Sequence, residues 1–219
     1  MKLLDRIPNL IIQGILLIAA FLAVYSIYDI FCIYQKAGES RSVVSQTEPP
    51  VTGQVAWLQI NGTDIDYPVM QGEDNVEYLN KDPHGDYSLA GSIFLDFRNS
   101  PDCSDHYNLI YGHHMEYGYM FGALDHFFEP GYLETHKTGA LVVNGTEWNI
   151  ELFAALETDA EEPIIFNPLS DPEEYIQAHA GILLPTEPGG RLIGLSTCKD
   201  TSTTSRRIVF GKLSAPERG

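Results

Sequence analysis

The sequence is poor in cysteine and in positive charge, and each shortage closes off a class of function. Three cysteines, Cys32, Cys103 and Cys198, are spread over 219 residues, with no C-x-x-C pair and no zinc-ligand spacing. Any single pairing leaves a thiol over, which argues against a disulfide-stapled scaffold and leaves one cysteine to be kept for its reactivity. Lys and Arg number 13 against 30 Asp and Glu, a formal net charge of −17. Phosphate backbones are bound by clustered cations, so this balance argues for an acidic surface and against nucleic-acid binding. Internal repeats and low-complexity tracts are absent, and helical signals beyond the N-terminus are few and short.

One long apolar run is present. Residues 7–33 are interrupted only by Asn9, Gln13, Ser26 and Asp29 among polar residues. At about 1.5 Å per residue such a helix crosses a hydrocarbon core of roughly 30 Å. A cleaved signal peptide has a shorter apolar region and a small-residue cleavage site, neither of which is found here. The run is therefore expected to be an uncleaved transmembrane anchor within residues 1–36. Lys2 and Arg6 before it nearly balance Lys36 and Arg41 after it, so charge does not orient it. Residues 37–54, small and polar with Pro49-Pro50, read as a linker.

From residue 55 onward strand signals dominate. Alternating or continuous apolar runs fall at 55–60, 64–70, 92–96, 107–111, 139–144, 147–157, 191–197 and 206–213, with Asn61-Gly62 and Asn144-Gly145 as hairpin turns. Short helical signals lie after Gly72, near 120–128 and at 171–181, the last with Asp171 as N-cap, Pro172 in the first turn and Gly181 as the stop. The expected fold is mainly β: a closed eight-stranded β-barrel with a few short helices, residues 55–219, preceded by the N-terminal transmembrane helix.

Cys198 ends an apolar run, where a thiol is held rigidly yet stays reachable. Its flanks, Ser196, Thr197, Lys199 and Asp200, read as wet rather than as core. A nucleophilic thiol needs a proton partner and positive charge for the oxyanion formed on attack. His113 follows the strand-like "NLIYG" and so sits at a second strand mouth. Arg206 and Arg207 return after a short loop at the start of the next strand. Alternation puts one of them beside Cys198 and the other on the far face, and the apolar "IVF" that follows leaves the choice open. His113-His114 with His106 also admits a metal site, although no HExxH or carboxylate pattern supports one.

Together these motifs resemble the sortases, cysteine transpeptidases of Gram-positive surfaces. "GLSTC" (194–198) is similar to the family's Thr-Leu-x-Thr-Cys strand, "LIYGHHM" (109–115) to the segment that carries its histidine, and "RRIVFGKL" (206–213) to its arginine strand. Counting back from Gly211-Lys212-Leu213, the family's arginine falls on Arg206. The stretch "YLNKDPHGDYSLAGSIFLD", the "MFGAL" after the histidine and the helix at 171–181 look like class B. Gly194 departs from the family's Thr.

The resemblance implies a sortase-type barrel in which Cys198 is the nucleophile, His113 the acid and base, and Arg206 the oxyanion or substrate holder. It implies Ser196, Thr197, Tyr175 and Ile176 as substrate-binding residues. Implied partners are secreted proteins with a C-terminal sorting signal such as Leu-Pro-x-Thr-Gly or Asn-Pro-x-Thr-x, and an amine of a peptidoglycan precursor or a pilin. No cofactor, metal or nucleic acid is implied, and the catalytic domain is expected outside the membrane. The same three residues would also serve a cysteine hydrolase. A non-catalytic tethered binding domain would instead need Cys198 to be inert.

Overall fold

The structure, a computed structural model, describes residues 7–42, 51–198 and 205–215. The chain divides into one unit ending at Gln35 and a second beginning at Lys36. The first unit is the bulk of α1 (Ile7–Ser42). Its stretch Ile11–Gly38 has a mean hydropathy of 2.2, long and apolar enough to cross a membrane. Large apolar side chains such as Leu16, Leu17, Phe21 and Ile27 stand exposed on it rather than forming one buried stripe. The helix continues through residues 37–42, which the sequence suggested were linker. Between Pro8 in its first turn and Pro49 no proline removes a backbone donor, and a lone Gly38 in the stretch costs only about 1 kcal/mol. Residues 43–50 of that stretch lie outside the described residues.

The second unit is built on β1 (Gln54–Ile60), β2 (Asp66–Met70), β3 (Ile93–Leu95), β4 (Tyr107–His113), β5 (Thr138–Val143), β6 (Thr146–Asp159), β7 (Ile182–Leu183), β8 (Arg191–Cys198) and β9 (Ser205–Ser214). The sheet order is β5-β1-β2-β3-β4-β8-β9-β6-β7, and β5 also pairs with β6. That last pairing closes eight strands into the expected barrel, and β7 is a two-residue edge on β6. β7 is too short to show a period in sequence. Asn144-Gly145 forms the tight turn anticipated, with Asn144 at φ 50°. Asn61-Gly62 sits instead in the longer loop between Ile60 and Asp66, closed by the Ile60 N–H to the Ile65 carbonyl at 2.9 Å.

Helices fall where the short signals lay: 3₁₀ turns at Glu77–Leu79 and Phe121–Phe128, and α3 (Glu173–His179). A one-turn α2 (Tyr132–Thr135) follows the second of these. The cap of α3 is displaced by one residue from the expected Asp171 to Pro172. Asp171 still accepts the orphan N–H of Glu173, at 3.1 Å.

Both faces of the β4-β8-β9-β6 quarter are covered. The barrel interior packs Ile110, Ile193, Leu195 and Val209 against Phe121, Leu124 and Phe127. The outer face packs Tyr107, Leu109, Leu192, Ile208 and Phe210 against Ile165 and Ile176. Two buried faces make a strand apolar at both parities, which is why "IVF" could not orient the two arginines.

Candidate active site

The three residues singled out for catalysis arrive at neighbouring strand ends. β4 and β8 run parallel, and their register pairs His113 with Cys198 at the last rung. β8 and β9 run antiparallel, with described rungs from Arg191↔Leu213 to Ser196↔Ile208. The ladder ends there, two residues short of Cys198, and the same register extended by two steps points to Arg206 as the residue across from Cys198. On its other side Arg206 pairs with Thr158 of β6. Register partners share a face of a sheet, so His113, Cys198 and Arg206 occupy one cross-strand row on the outer face. Cys198 is described by its backbone, and Lys199 and Asp200 lie outside the described residues.

His113 is half-buried, and its Nε2 lies 2.6 Å from the carbonyl oxygen of Leu79. A carbonyl only accepts, so Nε2 carries the proton and Nδ1 is left for exchange. The Leu79 segment closes against the ring because Gly91 sits at φ +60 with no side chain. A Cβ there would come within 2.5 Å of the Leu79 carbonyl and 3.0 Å of the imidazole.

Arg206 lines a cavity of about 240 Å³ together with Asn75, Leu79, Phe94, Tyr111 and Phe166. Phe94 and Tyr111 are rung partners with ring centroids 5.4 Å apart. Beneath them the fully buried Asp96 receives Tyr111 Oη at 3.0 Å, Asn75 Nδ2 at 2.9 Å and both arms of Arg98 at 2.8 and 2.7 Å. Arg98 also donates to the Phe166 carbonyl at 2.8 Å, which ties the segment after β6 to β3. Burial pushes the Asp96 carboxyl up, but the bonds from Arg98 and Asn75 outweigh it and hold the group below its ordinary value. These wall residues come from five segments, and no local motif marked them. The one readable signal was Asp96-Phe-Arg98 at the end of an apolar strand. A larger cavity of about 1170 Å³, lined by Glu73, Glu77, Lys81 and His84 among others, contains none of the row.

The expected substrate-binding residues do not line this cavity. Ser196 and Thr197 are fully buried, so the wet flank inferred for Cys198 does not extend to them. Ile176 is fully buried in the outer-face cluster and acts as core rather than as wall. Tyr175 donates to Glu162 Oε2 at 3.1 Å and stacks on His179 at 4.1 Å. The outer face that carries Ser196 and Ile176 is covered by α3 and Ile165, whereas Thr197, at the other parity of β8, turns to the barrel interior. Gly194 also has a packing reason, since a Cβ there would stand 2.8 Å from Tyr107 Oη and 3.2 Å from Leu109 Cδ1.

Arg207 belongs to the opposite face. It donates to Asp125 Oδ1 at 2.8 Å, lies 3.5 Å from Glu157 Oε2, and covers the Phe128 ring at 4.8 Å. Asp125 also meets His114 Nε2 at 2.7 Å. Burial raises the Asp125 carboxyl, and the bonds from His114 and Arg207 more than reverse this, leaving it lowered. The three histidines weighed for a metal thus have three separate partners: His106 faces Asp171 at 3.4 Å, His113 the Leu79 carbonyl and His114 Asp125. Cys103 is buried in the inner cluster, where burial first and Asp102 second push its thiol up to about 12.

Residues 58–214 match the family model described as Sortase domain. Sortase B of Listeria monocytogenes serovar 1/2a (strain ATCC BAA-679 / EGD-e) is 34% identical over 187 residues, covering 80% of this chain and 76% of its own. A class B sortase of Streptococcus pyogenes involved in pilus biogenesis is similar in structure, with a TM-score of 0.68 at 38% identity, over 75% of this chain and 94% of its own. A sortase B complexed with triglycine gives a TM-score of 0.68 at 28% identity, over 74% and 81%.

Proposed function

The chain belongs to the sortase family of cysteine transpeptidases, with class B relatives, and from that premise we propose that Cys198, His113 and Arg206 carry the reaction on secreted proteins bearing a C-terminal sorting signal. The observation that carries this reading is their shared cross-strand row beside an aromatic cavity of about 240 Å³.

In the first step Cys198 passes its thiol proton to His113 Nδ1 and adds as thiolate to the carbonyl carbon of the signal's Thr, and the Arg206 guanidinium holds the charge that develops on the oxygen. The C–N bond then breaks. His113 gives a proton from Nδ1 to the departing amine, and the acyl group remains on Cys198 as a thioester. In the second step an incoming amine attacks the thioester and gives a proton to His113. The thiolate leaves as the new amide forms. Leu79 fixes the imidazole through its carbonyl and lines the cavity with its side chain, so one residue couples the base to the bound signal. The cavity between Phe94, Tyr111 and Phe166 receives the signal's side chain upstream of the Thr, from a motif of the Leu-Pro-x-Thr-Gly or Asn-Pro-x-Thr-x kind.

The acceptor is an amine of a peptidoglycan precursor or of a pilin. A relative solved with triglycine and another involved in pilus biogenesis support both readings. α1 anchors the enzyme, and the barrel from Gln54 onward is the catalytic domain. It stands on the outer side of the membrane, where secreted substrates and cell-wall amines meet.

The test incubates the full-length protein in detergent with peptides carrying each signal, with and without triglycine, and reads intact mass. The expected result is an acyl adduct on Cys198 and a triglycine-ligated product. An adduct that only hydrolyses at every triglycine and lysine-amine concentration would make the protein a hydrolase, and no adduct from any peptide would overturn the reading.

A further inference from the structure

The inner face at the same strand ends carries a cluster that the reaction does not use. The side chains of His114 and Arg207 adjoin His113 and Arg206 in sequence but turn to the opposite face of the sheet, where both meet Asp125, at 2.7 and 2.8 Å. In the sheet β8 lies between β4 and β9, so two strand spacings of about 4.8 Å separate the strands that carry His113 and Arg206. The Asp125 carboxylate spans them, Oδ2 towards His114 and Oδ1 towards Arg207.

We propose that Asp125 is a positioning residue for transpeptidation: from the inner face its carboxylate straps the end of β4 to the start of β9 across β8, and so sets the separation of His113 and Arg206 on either side of Cys198. The inference rests on the assignment of those three residues above.

The strap is anchored well enough to act. Asp125 sits in the Phe121–Phe128 helix, whose Phe121, Leu124 and Phe127 are fully buried, so the helix cannot roll on the sheet. His114 is held a second time by its backbone bridge to Met120, and the Met120 N–H donates to Tyr67 Oη at 3.0 Å. The start of β9 is held from its other side, where Ser205 Oγ donates to Glu157 Oε1 at 2.6 Å and Arg207 faces the same carboxylate. Arg206 is therefore flanked by two anchored neighbours, and Asp125 alone of these partners relates it to the histidine strand. The Asp125 side chain is 38% exposed, so the pairs add little to global stability. A small displacement of reacting groups lowers rate much more than it lowers stability.

The experiment uses the full-length protein in detergent, with Asp125→Ala, the double variant His114→Ala/Arg207→Ala, and the triple. Three quantities are read: kcat and KM for peptide ligation to triglycine, the iodoacetamide rate at Cys198 mapped by mass, and the thermal midpoint. Asp125→Ala is expected to lower kcat about ten-fold with KM within about two-fold, and to slow alkylation of Cys198. Its thermal midpoint moves by less than about 4 °C. The double variant should show the same loss, and the triple no more, because the carboxylate acts only through those two partners. Additive losses, a wild-type kcat in Asp125→Ala, or a loss matched by a large fall in thermal midpoint would each overturn the strap. A wild-type protein that alkylates rapidly at Cys198 but ligates no peptide would tell against the proposed function instead. In that case the alkylation rates alone decide on Asp125, an unchanged rate overturning it. A wild-type Cys198 no faster than an ordinary free thiol overturns both.

Discussion

The two faces of the sheet at the ends of β4, β8 and β9 hold residues adjacent in sequence and opposite in chemistry. On the outer face Arg206 lines a cavity above the buried Asp96, and His113 is tied to it through Leu79, whose carbonyl meets the imidazole and which lines the same cavity. On the inner face His114 and Arg207 are consumed by fixed carboxylates, Asp125 and Glu157. Strand alternation thus sorts each pair, His113-His114 and Arg206-Arg207, into a member on the outer face, proposed for catalysis, and a member held by carboxylates on the inner face. A positive charge at a strand mouth is informative about catalysis only once its face is known.

The comparison can be strained from several sides, beginning with the floor of the outer face. Asp96→Ala leaves Arg98, Asn75 and Tyr111 Oη without their shared acceptor, and should cost about 3 kcal/mol of stability with loss of peptide ligation, read by urea unfolding and turnover. The milder Asp96→Asn tests the charge. Because the folded carboxyl is held below its unfolded value of about 3.9, its contribution is full above that pH and is lost as the pH falls through the lower folded value. The stability gap between wild type and Asp96→Asn should therefore persist at neutral pH and close only in acid. A gap that stays constant down to pH 3 would show that the charge contributes nothing.

A smaller effect is expected at Gly194. Restoring the family's Thr there drives a side chain into Tyr107 and Leu109 and should cost about 1–3 kcal/mol in unfolding free energy, with activity per folded molecule retained. Unchanged stability would mean that Tyr107 moves aside freely. The smallest effect on turnover belongs to Cys103. Burial, with Asp102 adding to it and Arg191 only partly opposing it, pushes its thiol up to about 12, so Cys103→Ser should ligate peptide at the wild-type rate and iodoacetamide should leave Cys103 unlabelled in the folded protein. A folded but inactive Cys103→Ser protein would move part of the chemistry to the inner face.

That His113, Cys198 and Arg206 come to neighbouring strand ends was legible before the fold because each stands at the end or start of a recognisable run: "LIYGHH", "GLSTC" and "RRIVFGKL". The barrel was legible for a similar reason, since its eight closing strands are long enough to show a period and are punctuated by turns. Ser196 and Ile176 misled because the outer face is itself buried under α3 and the segment after β6, and Thr197 because it turns to the barrel interior. A polar residue beside a nucleophile then says nothing about water. The cavity wall was invisible as a group, as Phe94 and Tyr111 meet across the β3–β4 pairing and Asn75 and Phe166 join them through Asp96 and Arg98, contacts between residues far apart in the chain. Asp125 was equally hidden. Its partners are distant in sequence, and nothing in "GALDHFF" distinguishes it from a solvated helix carboxylate.

The two arginines provide the most direct test. Peptide ligation by the full-length protein should be measured for Arg206→Ala and Arg207→Ala side by side, each with its thermal midpoint. A loss of at least about 100-fold in kcat for Arg206→Ala, against no more than about ten-fold for Arg207→Ala, is expected from oxyanion stabilisation on one face and bracing on the other. Equal losses, or the reverse order, with both variants folded, would contradict the register that sets Arg206 opposite Cys198, and with it the assignment of the outer face as the active site.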